Sequence, residues 1–332
     1  MTNVLQCLNN GLIHAMETDD RVYLLGEDIL DPYGGAFKVT RGISTRFPER
    51  VFTTPISESA IVGVAIGMAL RGLRPVVEIM FGDFVTLTLD QIVNHASKFR
   101  WVYNNKVSVP IVLRTPMGGR RGYGPTHSQS LEKLFMGIPG IRVIAPNTLG
   151  DPGILLESSI ADDDPVIFIE HKLLYTCQKL EIGIGELLEW DVEKVGNKYP
   201  TYVVHFSSKP RVTIATYGYN FELVRQAAFE LLLENEIFTE IILFSQLSPY
   251  NLSPLVDSIA LTKRLLTVEE GVENLGWGAE ISARIAEMDL NNVRIQRVGA
   301  YDFPIANSKT LEEKILPSKS RIKQAIINIL EN

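Results

Sequence analysis

Val4, Leu8, Leu12 and Met16 recur every four residues, and that spacing predicts an amphipathic helix over residues 3–17 with Thr2 as its cap. The period then breaks into an apolar run, RVYLLGED (21–28), which reads as a buried strand ending in charge. The alternation continues, with strands expected at 74–79, 109–114, 141–145 and 165–170 and helices at 85–105 and 148–160. TTPISESAIVGVAIGMALRG (53–72) reads as a strand end, a Pro-Ile-Ser turn and a helix of small and aliphatic residues. Strands spaced by helical stretches make a parallel sheet.

Between about 178 and 209 charge, Pro, Gly and Ser mix without a clear period, which marks a boundary between domains. We expect a first domain over 1–185, a linker over 186–208 and a second domain over 209–332. In the second domain the rhythm restarts, with strands at 211–218, 240–244, 264–270 and 293–298, helices at 219–235 and 277–288, and a closing helix from 319. The fold class is α/β, two domains each built on a parallel or mostly parallel sheet.

Composition narrows the functions. A chain of 332 residues with 45% hydrophobic and 21% charged residues is globular, and its net charge of −7 without a basic run argues against nucleic acid and anionic membrane. Cys7 and Cys177 stand far apart and outside any CxxC pattern, so neither a disulfide framework nor a zinc site is expected. The first residues lack a basic signal region, and no apolar run approaches the ~20 residues that span a bilayer. A cytoplasmic protein, or the processed form of a mitochondrial matrix protein, is expected.

Ligands of open α/β sheets bind beyond the carboxyl ends of the strands. GED (26–28), TTPISE (53–58), MFGDF (80–84), the loop 114–130 and FIEH (168–171) all lie at such ends. Glu58 follows Ser57, a good N-cap, so one reading makes it an acid that meets the positive end of a helix dipole. The loop from Arg114 to His127 holds four glycines and three arginines but fits no phosphate-binding glycine pattern. His127 could be a general acid–base or the cap of a following helix. His95, His14 and His205 carry no comparable signal. Gly63 and Gly67, four apart, indicate a close helix contact within the domain or across a subunit interface. SSIADDDP (158–165) crowds three acids at a helix end, where they need solvent or a cation. GDF (82–84) with Asn104 and Asn105 only partly imitates a thiamine-diphosphate magnesium motif, and we read it as chance.

LLGEDI, YGGAFKVTRG, FPERVFTTPISE, RGLRPVVEIMF, DQIVNHASKFR, HSQS, PGIRVIAPNT, DPVIFIEHKLLY, VTIATYG and VEEGVENLGWGAEI occur in an order that spans nearly the whole chain. Together they resemble the β subunit of the thiamine-diphosphate-dependent 2-oxoacid dehydrogenase decarboxylating component, as in the pyruvate and branched-chain complexes. The resemblance implies a transketolase-like pyrimidine-binding domain followed by a transketolase-type C-terminal domain. It further implies an α2β2 heterotetramer whose α subunit supplies the magnesium and diphosphate motif, with a lipoyl acyltransferase core as a further partner and a small 2-oxoacid as substrate.

Glu58 then matches the carboxylate that hydrogen-bonds N1′ of the cofactor's aminopyrimidine, and an apolar neighbourhood of Ile61, Val62 and Val64 would favour its protonated form. Phe84 matches the aromatic that stacks on that ring. His127 matches a catalytic-loop histidine assisting decarboxylation or acyl transfer to lipoyl-lysine. Ile111, Ser159, Ile160, Asp162 and Asp164 match a structural site for a monovalent cation such as K+. Arg120, Arg121 and Tyr123 stand where many members have small residues, FSQLSPYNLSP departs from the usual Asp-Leu-Arg-Thr wording, and residues 190–207 look longer than typical. The resemblance therefore leaves the 2-oxoacid open, and with it a carboligase that passes the acyl group to a non-lipoyl acceptor.

Overall fold

The first helix runs Val4–Thr18 and is capped by Asn3 rather than Thr2. The Asn3 side chain accepts from Gln6 N, and the Gln6 side chain returns the contact to Asn3 N. Val4, Leu8, Leu12 and Met16 are buried as their spacing requires. This helix meets the helix Pro152–Ile160 backbone to backbone. A Cβ on Gly11 would lie 2.6 Å from Gly153 O, and one on Gly153 would lie 2.3 Å from Cys7 O.

The structure is a computed structural model that describes residues 2–181, 190–205 and 209–331. It divides into two compact units, Met1–Gly118 with Leu134–Lys179, and Gly119–Lys133 with Leu180–Asn332. The expected first domain, 1–185, thus includes a segment, 119–133, that packs with the second unit.

The first unit contains β1 (Val22–Gly26), β2 (Val51–Thr53), β3 (Arg74–Glu78), β4 (Val112–Met117), β5 (Arg142–Ile144) and β6 (Val166–His171), in the spatial order β5-β6-β4-β3-β1-β2. Every pairing is parallel. Every residue of β4 and β6 is buried, which is why these segments read as continuous runs rather than alternating ones. The helix expected over 85–105 is broken. A 3-10 turn covers Gly82–Thr88, a π-helical turn Gln91–Ala96 and an α turn Phe99–Val102, and Asn104 and Asn105 close the segment in the left-handed region.

The second unit holds β7 (Asp191–Val195), β8 (Thr201–His205), β9 (Val212–Tyr217), β10 (Thr239–Phe244), the short β11 (Gln246–Ser248), β12 (Arg264–Val272) and β13 (Arg294–Ala300). Its six-stranded sheet has the order β13-β12-β9-β10-β8-β7. The four strands β13, β12, β9 and β10 pair in parallel. β8 joins β10 antiparallel, and β7 joins β8 antiparallel. The stretch expected to be an unstructured linker therefore includes a hairpin. Tyr202 and Val204 alternate inward, but β7 is mostly exposed and lacks the apolar signal that marks a strand. Residues 186–189 and 206–208 of that expected linker, with 182–185 of the expected first domain, lie outside the described residues.

Three neighbouring strands of the first unit are joined by one side chain. Arg114 of β4 donates from NH1 to Glu78 of β3 at 2.9 Å, and from Nε and NH2 to the two oxygens of Glu170 of β6 at 2.7 and 2.8 Å. Tyr175 adds its hydroxyl to Glu170 at 2.6 Å. Burial opposes the charge on Arg114, but Glu170 and Glu78 more than offset it and hold the guanidinium protonated. Truncating the arginine strands two buried carboxylates. Arg114→Met is expected to cost about 3–5 kcal/mol of unfolding free energy, measured by urea titration; a loss below about 1 kcal/mol, the worth of an exposed pair, would show that the three strands do not need it.

Candidate functional site

In the first unit, β1 ends at Gly26, and Glu27 follows in the loop beyond its carboxyl end. The helix Glu58–Leu70 opens with Glu58 as its first residue. Ser57 occupies the cap position but makes no capping hydrogen bond with its side chain. Glu58 is 6% exposed and Glu27 7%. Neither carboxylate makes an ion pair among the described residues, and Glu27 Oε1 is buried without a hydrogen-bond partner. Burial pushes the Glu27 carboxyl up, and the negative charges of Glu58 and Asp28 add to it. Two buried acids therefore lie close enough to interact, and it is the Glu27 carboxyl that burial and its acidic neighbours hold back from ionising.

The apolar shelf beside Glu58 differs in part from expectation. Ile61 and Val62 are buried, but Val64 is 57% exposed and points away from the core. Gly67 is exposed and faces no neighbouring atom within 4 Å, so the close helix contact expected at Gly63 and Gly67 is not made with another helix among the described residues; at Gly63 only the Gln91 side chain comes near.

Phe84 lies in the turn Gly82–Thr88, which packs on the helix that Glu58 begins. It is half-buried and set by an aromatic chain. Phe84 meets Phe81 edge-on at 6.1 Å, Phe81 meets Phe37 at 5.7 Å, and Phe37 stacks on Tyr175 at 5.3 Å. The site is thereby linked to the Arg114 network through Tyr175.

The residues expected to hold a monovalent cation face arginines instead. Arg74 NH1 donates to Ile160 O at 3.0 Å and to Asp162 O at 2.9 Å, and its NH2 reaches Asp163 at 2.6 Å. Arg142 pairs with Asp162 and Asp164, and Arg100 with Asp164, each at 2.8 Å. Ile111 O accepts from Val166 N, and Ser159 Oγ donates to Leu155 O. The guanidinium groups of Arg74, Arg100 and Arg142 thus bring positive charge to ADDDP.

His127 belongs to the second unit, in the segment 119–133. No helix begins there; the next starts at Lys133, so the capping alternative fails. Its Nδ1 lies 3.1 Å from Thr126 Oγ1, and its backbone N–H donates to Gly124 O. Below the far end of this segment, Glu132 accepts from the Tyr217 hydroxyl at 2.5 Å. Glu269 accepts from Trp277 N and Gly278 N at the start of the helix Trp277–Ala286, both at 2.8 Å. Burial, reinforced by Glu132, pushes Glu269 up to about 8 in spite of those two bonds.

The chain matches the transketolase pyrimidine-binding domain over residues 2–178 and the transketolase C-terminal domain over 201–322. It is 35% identical to the acetoin:2,6-dichlorophenolindophenol oxidoreductase subunit beta of Cupriavidus necator, over 96% of this chain and 94% of that one. It is 32% identical to the mitochondrial pyruvate dehydrogenase E1 component subunit beta of Saccharomyces cerevisiae, over 98% and 88%. It is also 32% identical to the 2-oxoisovalerate dehydrogenase subunit beta of Bacillus subtilis, over 98% of each chain. A solved split-gene transketolase, described as an inactive β4 tetramer, shares the fold with a TM-score of 0.76 at 20% identity, covering 98% of this chain and 97% of that one. The chain belongs to the transketolase-like family of 2-oxoacid dehydrogenase E1 β subunits.

The sequence offers Glu58, Phe84 and His127 as candidates and gives Glu27 no role of its own. Its position at a strand's carboxyl end was the available signal. The buried acids of the second unit gave none, because VEEG looks like a solvated strand end until the chain folds over it.

Glu269 supplies a pH test. Its folded value lies above the ordinary carboxyl range, so the folded state binds the extra proton and stability falls as pH rises from about 4.5 toward about 8. Glu269→Gln cannot titrate. The stability of wild type relative to this variant should decline between pH 5 and 8 in thermal unfolding, and a pH-independent difference would contradict the assignment.

Proposed function

We propose that this chain is the β subunit of a thiamine-diphosphate-dependent 2-oxoacid dehydrogenase, which decarboxylates a small 2-oxoacid and passes the acyl group to lipoyl-lysine. The observation that carries the reading is the buried pair Glu58 and Glu27, two carboxyls without a cation at the carboxyl end of a parallel sheet. The orphaned buried oxygen of Glu27 and the cation-free setting of Glu58 fit a heterocycle whose ring nitrogen can share a proton. Bound thiamine diphosphate supplies a thiazolium that stabilises the carbanion left when carbon dioxide departs.

In this reading Glu58 holds a proton at N1′ of the aminopyrimidine, and Glu27, whose carboxyl is pushed up by burial and by its acidic neighbours, is a second protonatable group beside it. Phe84 gives the ring a flat apolar surface, fixed by the Phe81–Phe37–Tyr175 chain. His127 moves a proton or orients the acyl group during decarboxylation and transfer.

The partner is an α subunit in an α2β2 heterotetramer, which brings Mg2+ and the diphosphate contacts. Among the described residues no group of three or more His, Cys, Asp or Glu side chains could hold a metal ion. An apolar surface supports the assembly: Ile56 and Trp101 are 83% exposed, and Val64 and Leu87 are also exposed. A monovalent cation such as K+ is proposed at Ile111, Ser159, Ile160, Asp162 and Asp164, beside the arginines that share those acids. No described helix is long and apolar enough to cross a membrane. We assign the protein to the cytoplasm and its acceptor to a lipoyl acyltransferase core.

Glu58→Gln in the reconstituted αβ complex should slow C2-proton exchange of bound thiamine diphosphate by on the order of 10²–10⁴-fold while the cofactor still binds. Exchange at the wild-type rate would sink the reading.

A further inference from the structure

The segment Gly119–Lys133 contains residues that resist a single shape. Arg120 has φ +72, Gly122 +67 and Gly124 +80, so three left-handed residues fall within five positions. For the arginine this costs about 1–2 kcal/mol, and nothing local repays it. The segment's backbone donors are met from elsewhere in the same unit. Glu312, in the helix Lys309–Ile315, accepts from Arg120 N at 2.6 Å and from Gly122 N at 3.1 Å. Glu270, in β12, accepts from Gly119 N at 2.8 Å and from Arg120 Nε at 2.9 Å. The other arm of Arg120 donates to Pro317 O at 2.6 Å.

Both carboxylates are deeply buried, Glu312 at 1% exposure and Glu270 at 4%. A buried carboxylate is costly unless its oxygens accept hydrogen bonds. Here the charge of each acid is directed at one short stretch of backbone. A Cβ on Gly119 would stand 2.9 Å from Glu312 Oε1, so the acid closes over the segment without room to spare. The far end is held as well, by Tyr217 on Glu132 and by Lys133 Nζ donating to Asn274 O at 3.0 Å. His127 lies between these two anchors.

We infer that Glu270 and Glu312 are positioning residues that fix the His127 segment by gripping its backbone and the Arg120 side chain. The inference rests on the proposed role of His127. Neither acid touches reacting atoms; each acts through the conformation of residues 119–124. Arg120 is the shared element, since its main chain binds one acid and its side chain the other. Its planar fork reaches Glu270 and Pro317 O together, which an ammonium group would not reproduce.

The test uses the reconstituted αβ complex with kcat counted per thiamine-diphosphate-binding site, so that misfolded protein does not register as slow enzyme. Glu312→Gln and Glu270→Gln should each lower kcat by about 10–100-fold, as a displacement of roughly 1 Å can. KM for the 2-oxoacid should stay within about threefold, because ground-state binding is untouched. Trypsin should cut the native variants after Arg120 or Arg121 faster than wild type. Arg120→Lys keeps the charge and loses the fork, and it should show both effects in milder form. If the glutamine variants fail to assemble, Arg120→Lys decides by the same two readings.

Wild-type kcat in an assembled variant overturns the proposal, whether or not cleavage quickens. So does a lowered kcat with unchanged cleavage, which would place the effect outside the segment. The role of His127 is read separately: full activity in His127→Ala would remove that role, while the cleavage rates would still report whether the two acids hold the segment.

Discussion

Arg114 is the constraint on which the first unit depends. Its guanidinium bridges β3 and β6 from β4, so the three strands that form the middle of the parallel sheet are tied near their carboxyl ends. Parallel strands have no hairpins to fix their register, and an ion pair set across three of them does that work. The aromatic chain from Tyr175 to Phe84 starts from the same cluster, and the turn that carries Phe84 packs on the helix begun by Glu58. The placement of Phe84 is thus inherited from a buried charge cluster in the middle of the sheet.

The protein buries many acids and treats them in distinct ways. Glu78 and Glu170 are neutralised by an arginine. Asp162, Asp163 and Asp164 are met by three more. Glu270 and Glu312 are spent on backbone N–H groups. Glu27 with Glu58, and Glu269 with Glu132, set acid beside acid, and burial leaves the Glu27 and Glu269 carboxyls reluctant to ionise. Desolvation acts on all of them; the partner decides the outcome.

The resemblance along the chain carried the family, the two α/β units and the residues Glu58, Phe84 and His127. Local patterning carried the first helix to within one residue, because Val4, Leu8, Leu12 and Met16 repeat on one face. It failed where local signals cancel. The stretch 85–105 reads as one helix, yet it breaks into successive turns, the first of which begins at Gly82 and carries Phe84. The hairpin β7–β8 was hidden because β7 is exposed on most of its length and carries little apolar signal.

What the sequence determined by itself was the alternation of strand and helix, through side-chain period, and the acid at the start of the Glu58 helix, through its turn and cap pattern. What the tertiary structure decided was which charges meet. Burial pushes the Glu27 carboxyl up and Glu58, 31 positions away, adds to it, Arg74, Arg100 and Arg142 meet the acids of ADDDP, and Glu270 and Glu312 reach back some 150 and 190 positions to the segment that carries His127. Such contacts have no period and no local composition. They exist only once the sheets are assembled and water is excluded, and that exclusion makes each carboxylate's partner matter.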